Sequence, residues 1–436
     1  MDTLTHAESP PWPAPCATGP VDAHVSLPAS KSMTNRALVL AAIANGPSRI
    51  ESPLHARDTA LMVDALRALG TEITDHTDGS WLVTPRRLLG PATVDCGLSG
   101  TVLRFVPAVA ALAHGPVRFD GDPKIRERPN GPLLAALRTL GVAIDDGGRG
   151  AAPFRVRGIG RLTGGSVRVD ATGSSQFISG LLLAGARFEN GVEVIAEGPV
   201  PSGPYLEMNI AMLRERGVDV QAKSGHWAVR PGPVSALDTR IEPDLSNAAP
   251  FAAAALVTGG TVVISGWPQT TTQPGRQLPG WLTAMGARCR LTADGLEVKG
   301  GSVIHGLEGD LGNFSELVPV LATLAVLADS PSRLTGVKHI RGHETDRLSA
   351  LATELSGCGA DVRELPDGLE ITPRPLHGAN FKTYEDHRLV MAAAVLGLAV
   401  EGVVIQGAAT VAKTMPDFTQ RWEAMLSESR SGPTRQ

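Results

Sequence analysis

Three features of the 436-residue chain predict an α/β fold of two domains, each made of three repeated units. First, an apolar helix that ends at a glycine or another small residue and runs into a short β-like stretch occurs six times. The stretches are ANGPSRIESP (44–53), AHGPVRFDGDP (113–123), ENGVEVIAEGP (189–199), TGGTVVISGWP (258–268), DSPSRLTGVKHI (329–340) and VEGVVIQGAAT (400–410). Second, an amphipathic helix follows, closed by a glycine that leads to a strand: LRALGTEI, LRTLGVAI, LRERGVDV, LTAMGARC and ELSGCGADV. Third, the motifs of the common alternatives are missing. There is no G-x-G-x-x-G after a first strand, and the spacing is too long for the eight βα steps of a barrel.

Taken in order, each unit reads helix–strand–helix–strand–strand over about 70 residues. In four units the last two strands are joined by a hairpin signal: TDGSWLV, KSGHWAV, ADGLEV and PDGLEI. The sixth unit stops after its second helix, Asp417–Leu426. Six similar units divide into two domains of three, with the boundary near Glu242–Asp244. The expected domains are residues 30–242, and residues 21–29 plus 243–427, because Val21–Leu27 is expected to pair with the second domain. The chain would then cross between domains twice. Residues 1–20 and 428–436, rich in Pro/Ala or Ser/Arg, are expected to be disordered.

Composition narrows the function. The net charge of −4 argues against a general nucleic-acid or membrane binder, and no apolar run is long enough to span a bilayer. Cys16, Cys96, Cys289 and Cys358 are far apart and form no C-x-x-C pair, which fits a reducing cytoplasm better than a disulfide framework or a zinc site. The N-terminus has no charged-then-apolar leader pattern. The expected protein is a cytoplasmic monomer acting on small molecules, without metal, cofactor, nucleic acid or membrane.

The first helices of equivalent units should point the same way within a domain, so their N-termini should converge. A helix start gathers free N–H groups and the positive end of the dipole, and so suits an anion. In the first half these starts read Ser30-Lys31-Ser32 with Arg36 one turn on, Ser99-Gly100-Thr101, and Ser174-Ser175-Gln176. In the second half they read Asp244 to Asn247, Asp310 to Glu316, and Asp386-His387-Arg388. Loops after the next strand add Arg57-Asp58, Arg126 and Arg128, Ser202 and Tyr205, His343-Glu344 with Arg347, and Lys413-Thr414. Taken singly, a serine here is a cap and an Arg beside an Asp is a local ion pair. The recurrence in six units points instead to a shared anion site. The first half offers hydroxyls, an amide and cations. The second offers Asp244, Glu316 and Glu344 together with Arg347, Arg388 and Lys413. Acids facing bases across an interdomain cleft suit two anionic substrates with proton transfer between them. There is no G-x-x-x-x-G-K-S/T loop, G-x-S-x-G elbow or H-E-x-x-H pair.

The motifs LPASKSMTNRAL, SGTVLRF, IRERP, GSSQFISGLLLA, HETDRL, DHRLVMA and KTMPDF, in that order, resemble the 5-enolpyruvylshikimate-3-phosphate synthase family over about residues 21–426. The resemblance implies two domains of three βαβαββ units, an inside-out α/β barrel, closing on shikimate 3-phosphate and phosphoenolpyruvate. It implies that Lys31 meets both substrates and that Ser32 and Arg36 contact shikimate 3-phosphate. Ser174, Ser175, Gln176 and Ser202 would hold the shikimate 3-phosphate side, with Gln176 also near phosphoenolpyruvate. Gly100, Arg128, Arg347, Arg388 and Lys413 would contact phosphoenolpyruvate, and His343 would also line the substrate site. The inhibitor glyphosate would approach the same spot at Gly100. The chain departs from the family at Leu98, usually Asn; at Glu316, often Asp; and at His343, usually Lys.

The implied reaction is carboxyvinyl transfer in the shikimate pathway of aromatic amino acid biosynthesis. Glu316 fits the base at the 5-hydroxyl, and Lys31 and Glu344 are both candidates for the proton at C3. A sister transferase acting on UDP-N-acetylglucosamine is the nearest rival, but its usual loop cysteine has no counterpart between Phe105 and Leu140. A non-catalytic anion binder is the rival from another class.

Overall fold

The computed structural model describes residues 10–428. The disorder expected of residues 1–9 and 429–436 lies outside the described residues. The chain forms two compact units: one is Ala29–Glu242, and the other joins the chain up to Pro28 with the chain from Pro243 onward.

In the Ala29–Glu242 unit, three four-stranded sheets share one plan. In the second of them, Ala92–Asp95 runs parallel to His114–Asp120, which pairs antiparallel with Phe154–Ile159, which in turn pairs antiparallel with Ala143–Asp145. The third sheet repeats this with Gly165–Asp170, Val192–Glu197, His226–Val229 and Val220–Lys223. The first sheet uses Ser48–Glu51, Trp81–Thr84 and Glu72–Asp75, and its parallel partner is Thr239–Arg240, from the far end of the unit. Strands alternate as half-buried strands should: in Phe154–Ile159 the residues Phe154 and Val156 point inward while Arg155 and Arg157 face water. Phe119 stacks on Phe154, its register partner, at 4.8 Å between ring centroids.

The sheets form the outside of the unit and helices fill it. Helices Lys31–Ala42, Gly100–Ala110 and Gln176–Gly185 are buried almost throughout; the last two are mostly apolar all round, and the first buries Asn35 and Arg36 with hydrogen-bond partners. Helices Arg57–Ala68, Gly131–Thr139 and Pro204–Glu215 keep a polar face in solvent. One repeat lacks the tight hairpin signal of the others. There a glycine-rich loop joins Ala143–Asp145 to Phe154–Ile159, and Asp146 holds it by accepting from the amides of Gly148 and Gly150.

The other unit repeats the plan. Asp22–Val25 runs parallel to Thr261–Ser265, which leads on to Gly295–Lys299 and Arg288–Leu291. Glu308–Asp310, Ser332–Thr335, Gly368–Thr372 and Asp361–Leu365 make the second sheet. The third has Asn380–Lys382 parallel to Val404–Gln406, and among the described residues this repeat has no hairpin of its own. Trp12–Pro13 takes its place, antiparallel to Val404–Ile405.

Residues 10–20 are therefore not the disordered tail that their proline content suggests. The Ala14 amide donates to the Val403 carbonyl at 2.9 Å, Cys16 Sγ donates to the Gly397 carbonyl, and the Trp12 ring meets Phe418 edge-on. Proline is tolerated on an edge strand, where no neighbour requires its missing N–H. At the other end, Glu428 belongs to helix Phe418–Glu428 and not to a tail.

Candidate active site

Within the Ala29–Glu242 unit the three buried helices begin side by side. Ser30 caps the first, with its Oγ accepting from the Met33 amide, and Asn35 Nδ2 donates to Thr101 Oγ1 of the second at 2.6 Å. Arg104, on the second, donates to Ser174 Oγ and to Gln176 Oε1 at the start of the third. Lys31 Nζ lies 3.2 Å from Asp58 Oδ2, a carboxylate that is itself buried.

Arg36 is 1% exposed. Its Nε donates to Asn209 Oδ1, Nη1 to the Ser32 carbonyl at 2.9 Å, and Nη2 to the Tyr205 carbonyl at 3.4 Å. The rings of Phe105 and Tyr205 lie 5.0 and 5.5 Å from its Cζ. Burial lowers its pKa to about 10. Gly100 opens its helix directly against Arg128: a Cβ there would lie 3.0–3.2 Å from the guanidinium. Arg128 is itself largely buried, and its Nε has no hydrogen-bond partner among the described residues. Ser175, at the start of the third helix, and Ser202, just before helix Pro204–Glu215, are both buried, and Ser202 holds a left-handed backbone, φ 55°.

This unit thus brings Lys31, Ser32, Arg36, Gly100, Arg128, Ser174, Ser175 and Gln176 to its three helix starts, while Ser202 precedes helix Pro204–Glu215, whose Tyr205 carbonyl accepts from Arg36. Arg57 and Arg126 are not part of the cluster: they are half exposed and paired with Asp122 and Asp120. Lys31, Arg36, Arg104 and Arg128 bring four cations to these helix starts, and such a cluster suits an anion.

The other unit builds a chain of alternating charge. Arg347, fully buried, forms a two-pronged pair with Asp386, Nε to Oδ2 at 2.7 Å and Nη2 to Oδ1 at 3.2 Å. It also reaches Glu344 Oε2 at 3.0 Å and Glu316 Oε2 at 3.3 Å. Lys413 Nζ lies 2.6 Å from Glu344 Oε1, and Arg388 Nε lies 3.0 Å from Glu316 Oε2. Arg388 Nη1 donates to Asn247 Oδ1 at 2.8 Å, and Asp386 caps its own helix by accepting from the Arg388 amide. His343 Nδ1 sits 3.1 Å from Arg347 Nη1 and 3.6 Å from Glu316 Oε1. The arginine has only protons to offer, so Nδ1 is the acceptor and the ring proton is on Nε2.

Electrostatics follow from this packing. Burial pushes the Glu316 carboxyl upward, but Arg347 and Arg388 outweigh it and hold the group well below the usual carboxylate range. His343 is driven well below the ordinary histidine value by burial and by Arg347. His339 falls to about 4, chiefly through burial. Burial pulls the Arg347 pKa down, yet Asp386, Glu316 and Glu344 together raise it. Asp244 Oδ1 accepts from the amides of Ser246 and Asn247 and so brackets the start of its helix.

Residues that the sequence left without a role complete these clusters: Asp58, Arg104, Asn209, Asn247, His339 and Asp386. Arg104 carried a signal, a lone charge in an otherwise apolar helix, which must find buried partners. Asn209 carried a weaker one of the same kind. Among the described residues no group of three or more His, Cys, Asp or Glu could hold a metal ion.

The family model for EPSP synthase (3-phosphoshikimate 1-carboxyvinyltransferase) matches residues 16–422. A 3-phosphoshikimate 1-carboxyvinyltransferase of Kocuria rhizophila is 50% identical to the chain, with 97% of this chain and 98% of that protein covered. Among solved structures, EPSP synthase of Acinetobacter baumannii superposes with a TM-score of 0.79 at 24% identity, covering 95% of this chain and 97% of that one. The enolpyruvyl transferase NikO of Streptomyces tendae gives 0.75 at 18% identity, covering 94% and 96%. The two structures share the fold, while the extent of the family match and the half-identity to the Kocuria protein go further: the chain belongs to the EPSP synthase family.

Proposed function

We propose that this chain transfers the carboxyvinyl group of phosphoenolpyruvate to the 5-hydroxyl of shikimate 3-phosphate and releases phosphate, as its family does. The observation that carries the reading is the ion-pair chain Lys413–Glu344–Arg347–Glu316–Arg388, which sets potential acids and bases among fixed cations. The Ala29–Glu242 unit carries its own cationic helix starts, suited to anionic groups. Lys31, Ser32, Arg36, Ser174, Ser175, Gln176 and Ser202 bind shikimate 3-phosphate, and Lys31 also meets phosphoenolpyruvate. Gly100, Arg128, Gln176, Arg347, Arg388 and Lys413 bind phosphoenolpyruvate, and His343 donates from Nε2 as a neutral group.

The hydroxyl oxygen attacks C2 of phosphoenolpyruvate while its proton passes to Glu316. C3 takes a proton from Lys31 or Glu344, giving a tetrahedral intermediate. Loss of the C3 proton to the same group and cleavage of the C2–O bond to phosphate restore the double bond. In the ligand-free arrangement Glu316 is too well paired to be a strong base. A phosphoenolpyruvate anion that draws Arg347 and Arg388 to itself would return basicity to Glu316 as the substrate arrives.

No described helix is long and apolar enough to cross a membrane. A cytoplasmic, monomeric enzyme without metal or cofactor completes the reading. The test is a coupled phosphate-release assay with both substrates. Phosphate released only when both are present supports the function. No release, or release with UDP-N-acetylglucosamine as acceptor instead, overturns it.

A further inference from the structure

Arg36 and Arg347 are both buried arginines, solvated in opposite ways. Arg347 lies against Asp386, Glu344 and Glu316, so its charge is balanced within the protein. Arg36 has only neutral acceptors: Asn209 Oδ1, the carbonyls of Ser32 and Tyr205, and two aromatic faces. No carboxylate pairs with it among the described residues. Its charge is desolvated and held by dipoles alone, a costly state that a ligand anion would relieve.

Asn209 is the unusual member of this set. It lies on the buried side of helix Pro204–Glu215, whose other buried residues include Leu206, Met208, Ile210 and Leu213, and it is fully buried. Its Oδ1 serves Arg36, but its Nδ2 has no hydrogen-bond partner among the described residues. An aspartate would fit the same space, remove the idle donor, and give Arg36 a charge-assisted bond. On the stability of the ligand-free protein alone, aspartate is the better residue. Asparagine differs from it in one useful respect: it orients the guanidinium without neutralising it.

We propose that Asn209 is a positioning residue that aims Arg36 while leaving its full charge for the anionic groups of shikimate 3-phosphate. This rests on the reading that Arg36 contacts that substrate.

The test compares Asn209→Asp with Asn209→Thr, a neutral acceptor, in steady-state kinetics and thermal unfolding of the full-length protein. The aspartate variant is expected to unfold at a higher temperature without ligand, and to show a smaller upward shift on adding shikimate 3-phosphate. Its KM for shikimate 3-phosphate should rise about tenfold or more, with a much smaller change in KM for phosphoenolpyruvate. The threonine variant should raise the same KM several-fold less than the aspartate variant does. Equal rises in both variants, or an aspartate variant with an unaltered KM, overturn the proposal, because charge is then not what Asn209 controls. If the aspartate variant does not fold, the threonine variant decides: a rise of about tenfold or more in a neutral variant overturns the proposal, and a smaller rise supports it. Arg36→Met separates the premise from the inference. An unchanged KM for shikimate 3-phosphate in that variant removes Arg36 from the substrate site, whatever Asn209 does.

Discussion

Gly100→Ala tests the site at its tightest point. A Cβ built on Gly100 lies 3.0 Å from Arg128 Nη1 and 3.2 Å from both Cζ and Nη2. Comfortable carbon–heavy-atom separations are about 3.5–4.0 Å, so the guanidinium must retreat by roughly half an ångström. The backbone at Gly100 is helical and not left-handed, so alanine meets no φ penalty there. It also has the better helix propensity, and the fold should keep its stability. The cost falls on Arg128, which is buried, with Nη1 3.5 Å from the Leu98 carbonyl. If Arg128 binds phosphoenolpyruvate through a charge-assisted bond of about 1.5–3 kcal/mol, losing most of it raises KM for that substrate about tenfold to a hundredfold. Glyphosate, the longer ligand expected at this spot, should lose more, so its inhibition constant should rise by the larger factor. Steady-state kinetics with phosphoenolpyruvate varied at saturating shikimate 3-phosphate, with and without the inhibitor, measures both. Unchanged or equal shifts, with thermal stability intact, would refute the placement of Gly100 and Arg128 against that ligand.

Further outcomes are expected elsewhere. Lys31→Met should remove most activity. It also strips the buried Asp58 of its cation, so it should lower stability by about 3–5 kcal/mol in urea unfolding, with Lys31→Met/Asp58→Asn recovering stability but not turnover. His339 has a folded pKa of about 4 against 6.5 when unfolded, so its contribution is complete above pH 6.5 and is lost as pH falls toward 4. That loss approaches about 3 kcal/mol, and His339→Gln should flatten the decline of unfolding free energy between pH 6.5 and 5. Gly397→Ala would drive a methyl into Ala14 and should loosen the N-terminal strand at a cost of about 1–3 kcal/mol, seen as a lower urea midpoint and faster proteolysis near residues 12–18.

The sequence carried the repeats, because a glycine-capped helix followed by a strand leaves the same mark each time. It also carried the convergence of helix starts, since parallel helices of equal units leave their caps in register. It could not reveal partners that pair across long separations. Asp386 meets Arg347 from 39 residues away and Asn209 meets Arg36 from 173, and neither pairing follows from local periodicity. Nothing near Lys31 in sequence shows that the buried Asp58 lies against it. Trp12–Pro13 failed as a strand reading for a different reason: two residues with a proline have no period at all, and only the vacancy left by the truncated sixth repeat gives them a place.

That vacancy has a consequence for how the protein is made. The Ala29–Glu242 unit closes on itself as soon as Thr239–Arg240 is synthesised and the Ser30 amide finds the Glu242 carbonyl. The other unit cannot. Asp22–Val25 emerges from the ribosome well before its partner Thr261–Ile264, and Trp12–Pro13 waits for Val404–Ile405. At about 5–20 residues per second, the wait for that last pairing is roughly 20–80 seconds. For that time the first strands of the chain must stay extended and unpaired while a complete domain folds between them and their partners. The prolines and polar residues of this segment suit that interval, since they give a stray strand edge little to add to.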